Sequence, residues 1–549
     1  MRLIPEKETL TVEFKSDLKK LPDSEIFEAV VSFANTEGGD LYLGVEDDGT
    51  ITGVNPAHQN PITLGAFIAN NTIPPVSVRA EIVEDEKPIL RISVPKAYGG
   101  VIATQSGKVL RRRLKMDGTP ENVPMYPNEM ATRLSDLRLL DYTALPLEEA
   151  TTDDFDPLEM ERLRTTIRAN DGDKALTELS DEELEKSLGL VREQGERLMP
   201  TVAGILLIGR MESLKRFIPT ASSVFQVLEG SELRINDDFT LPLLAAVDKL
   251  NRYLEAWNPE HEIESGMFRL PAPDFNRRAL REAIVNAYSH RDYTRLGRVS
   301  VVINDDGIRI ANPGGFIEGV SITNLITVEP HGRNPLIADL LKRVGLAERS
   351  GRGIDRIYEG SLIYGSPLPD YSSTTSVSVS LFIPRNTPDV ALARLVSEEQ
   401  LRIGRMMPIN TLLVLNVLRD MPRSTVHQVA ESLHLSETLV KTVLDKAIDS
   451  SLVEGYGSGR GRNYMLSHKA YSKEEKTCYV RQKDIDETRY HELILNLAKH
   501  EDFITNSDVV ELLHVTSSQA YRLLKGMVDE GVLEPVNKGR YAKYRVKGI

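Results

Sequence analysis

The chain has 549 residues, too many for one hydrophobic core, and at ~150 residues per domain the length implies three to five units. A formal net charge of −14 excludes a protein that coats nucleic acid uniformly, so any contact with a phosphate backbone must come from local basic patches, and the single cysteine, Cys478, excludes both an intrachain disulfide and a cysteine-based metal cluster. The opening MRLIPEKETL lacks the apolar core of a signal peptide and the longest compact apolar run, Val202–Ile208, is far too short for a membrane span, so the expected location is cytoplasmic.

In chain order, the first strand is predicted in TLTVEFK (residues 9–15), where apolar and polar side chains alternate and Glu13 shares a polar face with Lys15. Asp23 is placed to cap a helix whose Ile26, Phe27, Val30, Val31 and Phe33 face a core. Gly38-Gly39 turns the chain into a second strand and Asp48-Gly49 turns it again, leaving Asp47 at a strand end. The signatures Glu8 to Glu13-Phe14-Lys15, F-A-N-T-E-G-G at residues 33–39 and Gly44-Val45-Glu46-Asp47 occur in this order in Schlafen AlbA-type domains, which residues 1–140 resemble. From nucleolytic members of that family, the resemblance implies a catalytic Mg²⁺ or Mn²⁺ bound by Glu8, Glu13 and Asp47. Three acids around one ion can activate water against a phosphodiester, and Lys15 could stabilise the developing phosphate charge. The alternative is a surface pair at Glu13 and Lys15 with Glu8 in a frayed terminus, in a domain that binds without cutting. Further on, SGKVLRRRLKMDG (residues 106–118) places Lys108, Arg111, Arg112, Arg113 and Lys115 around a hairpin-like turn. Such a patch suits a phosphate backbone, or else its charges pair with neighbouring glutamates. Residues 120–127 read as a rigid passage to a helix over 129–140.

Residues 141–270 read as a connecting α/β region: an acidic linker entering a helix, buried strands over 201–209 and 222–230, and a helix over 241–257, with nothing at the spacing of a catalytic site.

Residues 275–293 (FNRRALREAIVNAYSHRDY) form the stretch on which most of the functional argument leans. Ala279, Leu280, Ala283, Ile284 and Ala287 make an apolar helical stripe, while Glu282 and Asn286, four apart, sit one above the other on a second face. An amide oxygen can take a Mg²⁺ position and a carboxylate can orient or deprotonate a water, which suits metal-assisted phosphoryl transfer. Two alternating strand patterns follow over 299–316, closed by Asn312-Pro313-Gly314-Gly315, then Arg333-Asn334-Pro335 and Ser350-Gly351-Arg352-Gly353-Ile354-Asp355. This order resembles the GHKL ATPase fold, in the divergent branch of bacterial ATP-binding regulators, over residues 271–384. The resemblance implies an ATP pocket with Glu282 as water-activating base and Asn286 on Mg²⁺. It also implies a cofactor side made by Asn312, Gly314, Gly315, Arg333 and Asn334, with Gly351 and Gly353 wrapping phosphate at a helix start. One departure is Asn312, where the family's adenine reader is an aspartate in a D-x-G-x-G turn; a carboxamide still offers an acceptor for the exocyclic amine and a donor for a ring nitrogen.

After a break at residues 384–388, the order helix, helix, turn, helix, hairpin over 411–466 resembles a winged helix, with residues 436–448 as recognition helix and 457–462 as wing. A second copy follows a charged linker. Its wing carries Lys538, Arg540, Lys543, Arg545 and Lys547 with Tyr541 and Tyr544 and no acid among them, a pattern that favours nucleic acid.

The expected fold class is therefore a multidomain α/β and α+β protein: a Schlafen-like domain (1–140), the connecting region (141–270), a GHKL-like α/β sandwich (271–390) and tandem winged-helix domains (400–470 and 480–549). The expected function is an ATP-binding, nucleic-acid-directed protein. One version is a metal-dependent Schlafen-like endonuclease gated by ATP in bacterial defence. The alternative is an ATP-responsive DNA-binding transcriptional regulator without nuclease activity, and a third is an assembly protein in which ATP closes a homo-oligomer. The partners expected are DNA or RNA and further copies of the chain, with no membrane.

Overall fold

A computed structural model describes residues 4–549 except 171, 196, 266–267, 330, 348–351, 457–460, 468–469, 471–489, 492, 496, 500, 502, 514, 537–541 and 548–549. The architecture is multidomain and mixed, with helices and several separate sheets.

The first domain is built on β1 (Val12–Lys15), α1 (Asp23–Ala34), β2 (Gly39–Leu43), α2 (Pro61–Asn70), β3 (Arg79–Glu84) and β4 (Pro88–Val94), in a sheet of order β1-β2-β4-β3. β1 and β2 run parallel, as the α1 crossover between them requires. α1 buries Ile26, Ala29, Val30, Val31 and Phe33 against this sheet, and Asp23 is its first helical residue rather than its cap. The F-A-N-T-E-G-G stretch has a structural explanation. Asn35 donates to the carbonyls of Ile102 (2.8 Å) and Leu110 (2.9 Å) and accepts from Ile102 N–H (2.8 Å), clipping two distant loops to the end of α1. Gly39, at φ +152°, has no room for a Cβ between Thr11 O and the Phe33 ring.

Residues 120–127 are not a plain passage: β5 (Leu110–Leu114) pairs antiparallel with β6 (Pro120–Pro124), and this hairpin covers the outer face of β1. The face expected to be polar and solvated is therefore closed, and Glu13 is buried. α3 (Pro127–Asp136) then leads away from the domain.

The connecting region holds α4 (Pro157–Ala169), α5 (Asp181–Ser187), α6 (Val202–Ile208) and α7 (Met211–Phe217). The strand expected over 201–209 is a helix instead. All seven residues of α6 are buried, so no amphipathic period betrays it, and the Thr201 hydroxyl caps it by accepting from Gly204 N–H at 3.1 Å.

A five-stranded sheet runs across the boundary expected at residue 270. It takes β7 (Ser222–Glu229) and β8 (Glu232–Phe239) from the connecting region and adds β9 (Arg298–Ile303), β10 (Gly307–Pro313) and β11 (Ser378–Pro384), in the order β8-β7-β9-β10-β11. Only β7 and β9 are parallel in it. α8 (Leu243–Trp257), α9 (Arg277–Ser289), α10 (Pro335–Val344) and α11 (Gly353–Leu362) complete this layer, with α9 touching the other three and β10.

Beyond α12 (Val390–Ile403) come α13 (Ile409–Asp420), the short strand Ser424–Thr425, α14 (Val426–Leu433), α15 (Glu437–Asp449) and the strands Val453–Tyr456 and Asn463–Leu466, the last lying between the other two in a small antiparallel sheet. The same order recurs in Ile504–Thr505, α16 (Asn506–Leu513), α17 (Ser517–Asp529), Leu533–Pro535 and Lys543–Val546. The first of these modules shares one continuous apolar core with residues from Phe155 onward; the second has its own, around Ile504, Val509, Leu524 and Met527.

Candidate functional site

α9 is the spine of the site. Asn276 caps it by accepting from Arg278 N–H (3.0 Å) and Ala279 N–H (3.2 Å), and its apolar stripe is buried, which turns Glu282 and Asn286 toward a cavity of about 210 Å³. His290, one further turn along, lines the same cavity. Burial, and after it the Arg333 charge, pushes the His290 imidazolium down to about 4, so the ring is neutral at pH 7 and presents one donor and one acceptor. The spacing of four from Glu282 through Asn286 to His290 was the available signal for His290, hidden because a lone histidine has no motif.

Across the cavity, Gly353 opens α11. Its Cα packs so close to Glu282 that a Cβ there would overlap the Glu282 carboxylate, which places the acid against the start of a ten-residue helix. Asn312, at the end of β10, is buried with its side chain on the wall, its Nδ2 donating to Pro313 O at 3.2 Å. Gly315 also lines the cavity, while Gly314, at φ +96°, lies behind it against Asp292. Much of the remaining wall is apolar, with Ile310, Phe316, Leu325, Ile357, Tyr371 and Leu381, and it also carries Glu329, Lys342 and Asp355. Glu282, Asn286, Asn312, Gly315 and Gly353 are thus brought together from four elements. A largely apolar cavity with a few polar groups and a helix start opened by a glycine with no room for a Cβ are what a nucleotide needs, so the residues fit ATP.

Two expected ligand residues sit elsewhere. Arg333 and Asn334 do not line the cavity but brace it from behind. Arg333 pairs with Asp136 and donates to Gly315 O (3.0 Å), and Asn334 donates to Ser289 O (2.9 Å) and Arg291 O (2.7 Å). Gly351 lies outside the described residues.

The amino-terminal acids do not assemble as expected. Glu13 pairs with the buried Arg112, accepts from Asn122 Nδ2 (3.1 Å) and lies 3.3 Å from Lys15 Nζ. Glu8 Oε1 accepts from Phe14 N–H at 2.8 Å, and its pKa is raised first by burial, with that hydrogen bond opposing and the charges of Glu13 and Asp47 adding. Asp47 is exposed in the turn, and Asp48 beside it holds that turn by accepting from Thr50 N–H at 2.8 Å. Among the described residues, no three His, Cys, Asp or Glu side chains are grouped so as to hold a metal ion. The donors at Glu13 already point at a cation and an amide, so this set does not fit a divalent ion.

Four of the five basic residues expected there, Lys115 aside, pair with acids, as in the second reading of that stretch. Arg111 pairs with Glu129, Arg112 with Glu13, Arg113 with Glu121 (2.6 Å) and Lys108 with Glu28 (2.6 Å). Of the wing residues, Lys538 and Arg540 lie outside the described residues, and Lys543 Nζ stands 3.4 Å from the Phe503 ring centroid.

Residues 8–118 match the family model of the Schlafen AlbA_2 domain, and residues 297–382 match HATPase_c_4, described as "Putative ATP-dependent DNA helicase recG C-terminal". Residues 132–223 match a domain of unknown function. No curated protein matches the chain. Among solved structures, the DIP2311 protein of Corynebacterium diphtheriae is 22% identical over 84% of this chain and 92% of its own, with a TM-score of 0.49. Among the described residues, no helix is long and apolar enough to cross a membrane. The chain is a multidomain protein with an amino-terminal domain of the Schlafen AlbA_2 type and, over residues 297–382, a domain of the recG C-terminal type.

Proposed function

We propose that the chain binds ATP with Mg²⁺ in the cavity between α9 and α11 and uses nucleotide occupancy to control its hold on nucleic acid. The observation that carries this is the convergence of Glu282, Asn286, Asn312 and Gly353 on one apolar cavity at a helix start. Asn286 is the side chain that would take a Mg²⁺ position, and the ion would supply charge neutralisation at the phosphates. Glu282 would accept a proton from water, and Asn312 would read the base edge. The recG C-terminal description names an ATP-dependent DNA helicase, and that domain together with the AlbA_2-type domain supports nucleic-acid-related, ATP-dependent work.

The contact with nucleic acid is assigned to the second carboxy-terminal module, read as a winged helix. The outward face of α17 carries Ser518, Tyr521, Arg522 and Lys525 with no acid until Asp529, whereas α15 mixes Lys441 and Lys446 with Asp445 and Asp449. The regulator reading is preferred to the nuclease one because Arg112 and Asn122 occupy the Glu13 carboxylate. Calorimetry with ATP and Mg²⁺ tests the core claim. Wild type binds, Asn286→Ala weakens binding at least tenfold, and Glu282→Ala keeps binding but loses any phosphate release. Absence of ATP binding by wild type sinks the reading, and metal-dependent cleavage of labelled RNA or DNA that disappears in Asp47→Ala restores the nuclease.

A further inference from the structure

The loop over residues 314–334 supplies much of the cavity wall, including Gly315, Phe316, Leu325 and Gly332, and among its described residues it carries no helix longer than the single turn Ile322–Asn324. A wall of that kind has to be held in shape by its surroundings. Its holder is α3, which belongs to the amino-terminal side of the molecule. Three residues of one α3 face, Thr132, Arg133 and Asp136, at the spacing that puts side chains on neighbouring turns, reach this loop and its base.

At the base, Asp136 pairs with Arg333, whose Nη2 donates to Gly315 O at 3.0 Å. Thr132 Oγ1 donates to Asp292 Oδ2 at 2.9 Å, and Asp292 N–H in turn donates to Pro313 O at 2.8 Å, next to Asn312. Further out, Glu318 receives Arg133 Nη1 at 3.1 Å and Lys96 Nζ at 3.0 Å, while Arg133 Nη2 donates to Ala97 O at 2.7 Å. Lys96 and Ala97 lie just past the end of β4, an inner strand of the AlbA_2-type domain. The loop is therefore tied at both its root and its middle to the first domain, through charge-assisted bonds from side chains that are largely buried.

We propose that Arg133 and Asp136 of α3 are positioning residues for the nucleotide cavity, holding the 314–334 loop in its binding shape and thereby coupling nucleotide occupancy to the AlbA_2-type domain. The coupling rests on the ATP reading above; the loop positioning does not. By linkage, whatever favours the docked α3 raises nucleotide affinity, and bound nucleotide tightens the docking by the same factor.

The test uses the full chain and two readouts, hydrogen exchange without nucleotide and calorimetry with ATP and Mg²⁺. Glu318→Gln is the milder variant because its partners Arg133 and Lys96 keep some access to solvent, whereas Asp136→Asn takes the nearest charge partner from the deeply buried Arg333, which is left with Asp292 at 3.9 Å, and risks unfolding. In Glu318→Gln, amides of residues 316–328 exchange faster than in wild type while those of β9 and β10 do not change, and ATP affinity falls roughly three- to tenfold. Arg133→Ala reproduces this and Arg133→Lys restores part of it. In wild type, ATP slows exchange over 127–136, and in Glu318→Gln this effect shrinks. Unchanged loop exchange in both Glu318→Gln and Arg133→Ala overturns the positioning role even if wild type binds ATP. Faster loop exchange in a protein that binds no ATP retains the positioning, overturns the coupling and refutes the nucleotide reading.

Discussion

Arg112 decides how the amino-terminal domain is to be understood. Its guanidinium lies 4.5 Å from the Phe33 ring centroid, donates to Thr9 O (2.9 Å) and Val12 O (3.2 Å), and pairs with Glu13, all under the β5–β6 hairpin. Burial is the largest influence on it and pulls its pKa down, with Glu13 and Glu8 opposing. Removing one partner of such a pair strands the other charge. We expect Glu13→Ala to destabilise the domain by ~3–5 kcal/mol, read as an earlier first transition in urea unfolding of the full chain, and Glu13→Gln by less because the amide still accepts from Arg112. A Glu13→Ala protein as stable as wild type would show that the pair is dispensable and return Glu13 to the candidate metal ligands. The motif around Glu13 was legible in the sequence, but its partner was not: Arg112 is far along the chain and looked like one of three equivalent surface arginines. Periodicity could not separate the buried one from Arg111 and Arg113.

At the scale of elements, strong period and strong punctuation were what could be read. α1 and α9 announced themselves by an apolar stripe, β1 and β9 by alternation, and β7 as a short apolar run. α6 did not, because a helix buried all round carries no stripe, and β8 did not, because an edge strand reading ELRINDDF exposes most of its side chains. α5 shows a different kind of hidden feature. Its first turn is acidic, with Ser180 and Glu183 in a capping box, and the run looks like a solvated helix start; yet Glu185 is turned inward. Burial first, then Asp181 and Glu182, push its carboxyl up to about 7. An acid whose folded pKa lies above its unfolded 4.5 holds its proton more tightly in the native state, so stability falls as pH rises from about 4.5 to about 7 and is level beyond. Glu185→Gln should therefore match wild type near pH 4 and exceed it at pH 8 by ~1 kcal/mol, after allowance for the solvent that still reaches the group. Parallel thermal melts at the two pH values check this; equal differences at both would mean that Glu185 ionises freely.

The whole molecule divides differently from a string of beads. The first carboxy-terminal module is welded to the layer that holds the cavity: α13 contributes Leu412, Leu413, Leu415 and Leu418 to the shared core, and Asn416 Nδ2 donates to Leu362 O at the far end of α11. α11 starts at Gly353 on the cavity, so one short helix runs from cavity to module. The second module closes its own core instead. This predicts opposite outcomes for two truncations. Ending the chain at residue 470 keeps Ala470 and the shared core, so melting and ATP affinity stay near those of the full chain, while nucleic-acid binding weakens and its log–log salt slope falls by about 0.7–0.9 for each phosphate that the shortened protein no longer neutralises. Ending it at residue 405 uncovers the apolar side of α11 and removes every core residue beyond it, the four α13 leucines among them, each contributing about 2–3 kcal/mol of burial on the hydrophobic scale, which is enough to leave the layer around the cavity insoluble or molten. A 1–470 protein that keeps full nucleic-acid affinity and salt slope would move the binding surface away from Tyr521, Arg522, Lys525 and Lys543. With Arg111, Arg112 and Arg113 already paired to acids, the nucleic acid would then have to lie against the first module, on the outward face of α15.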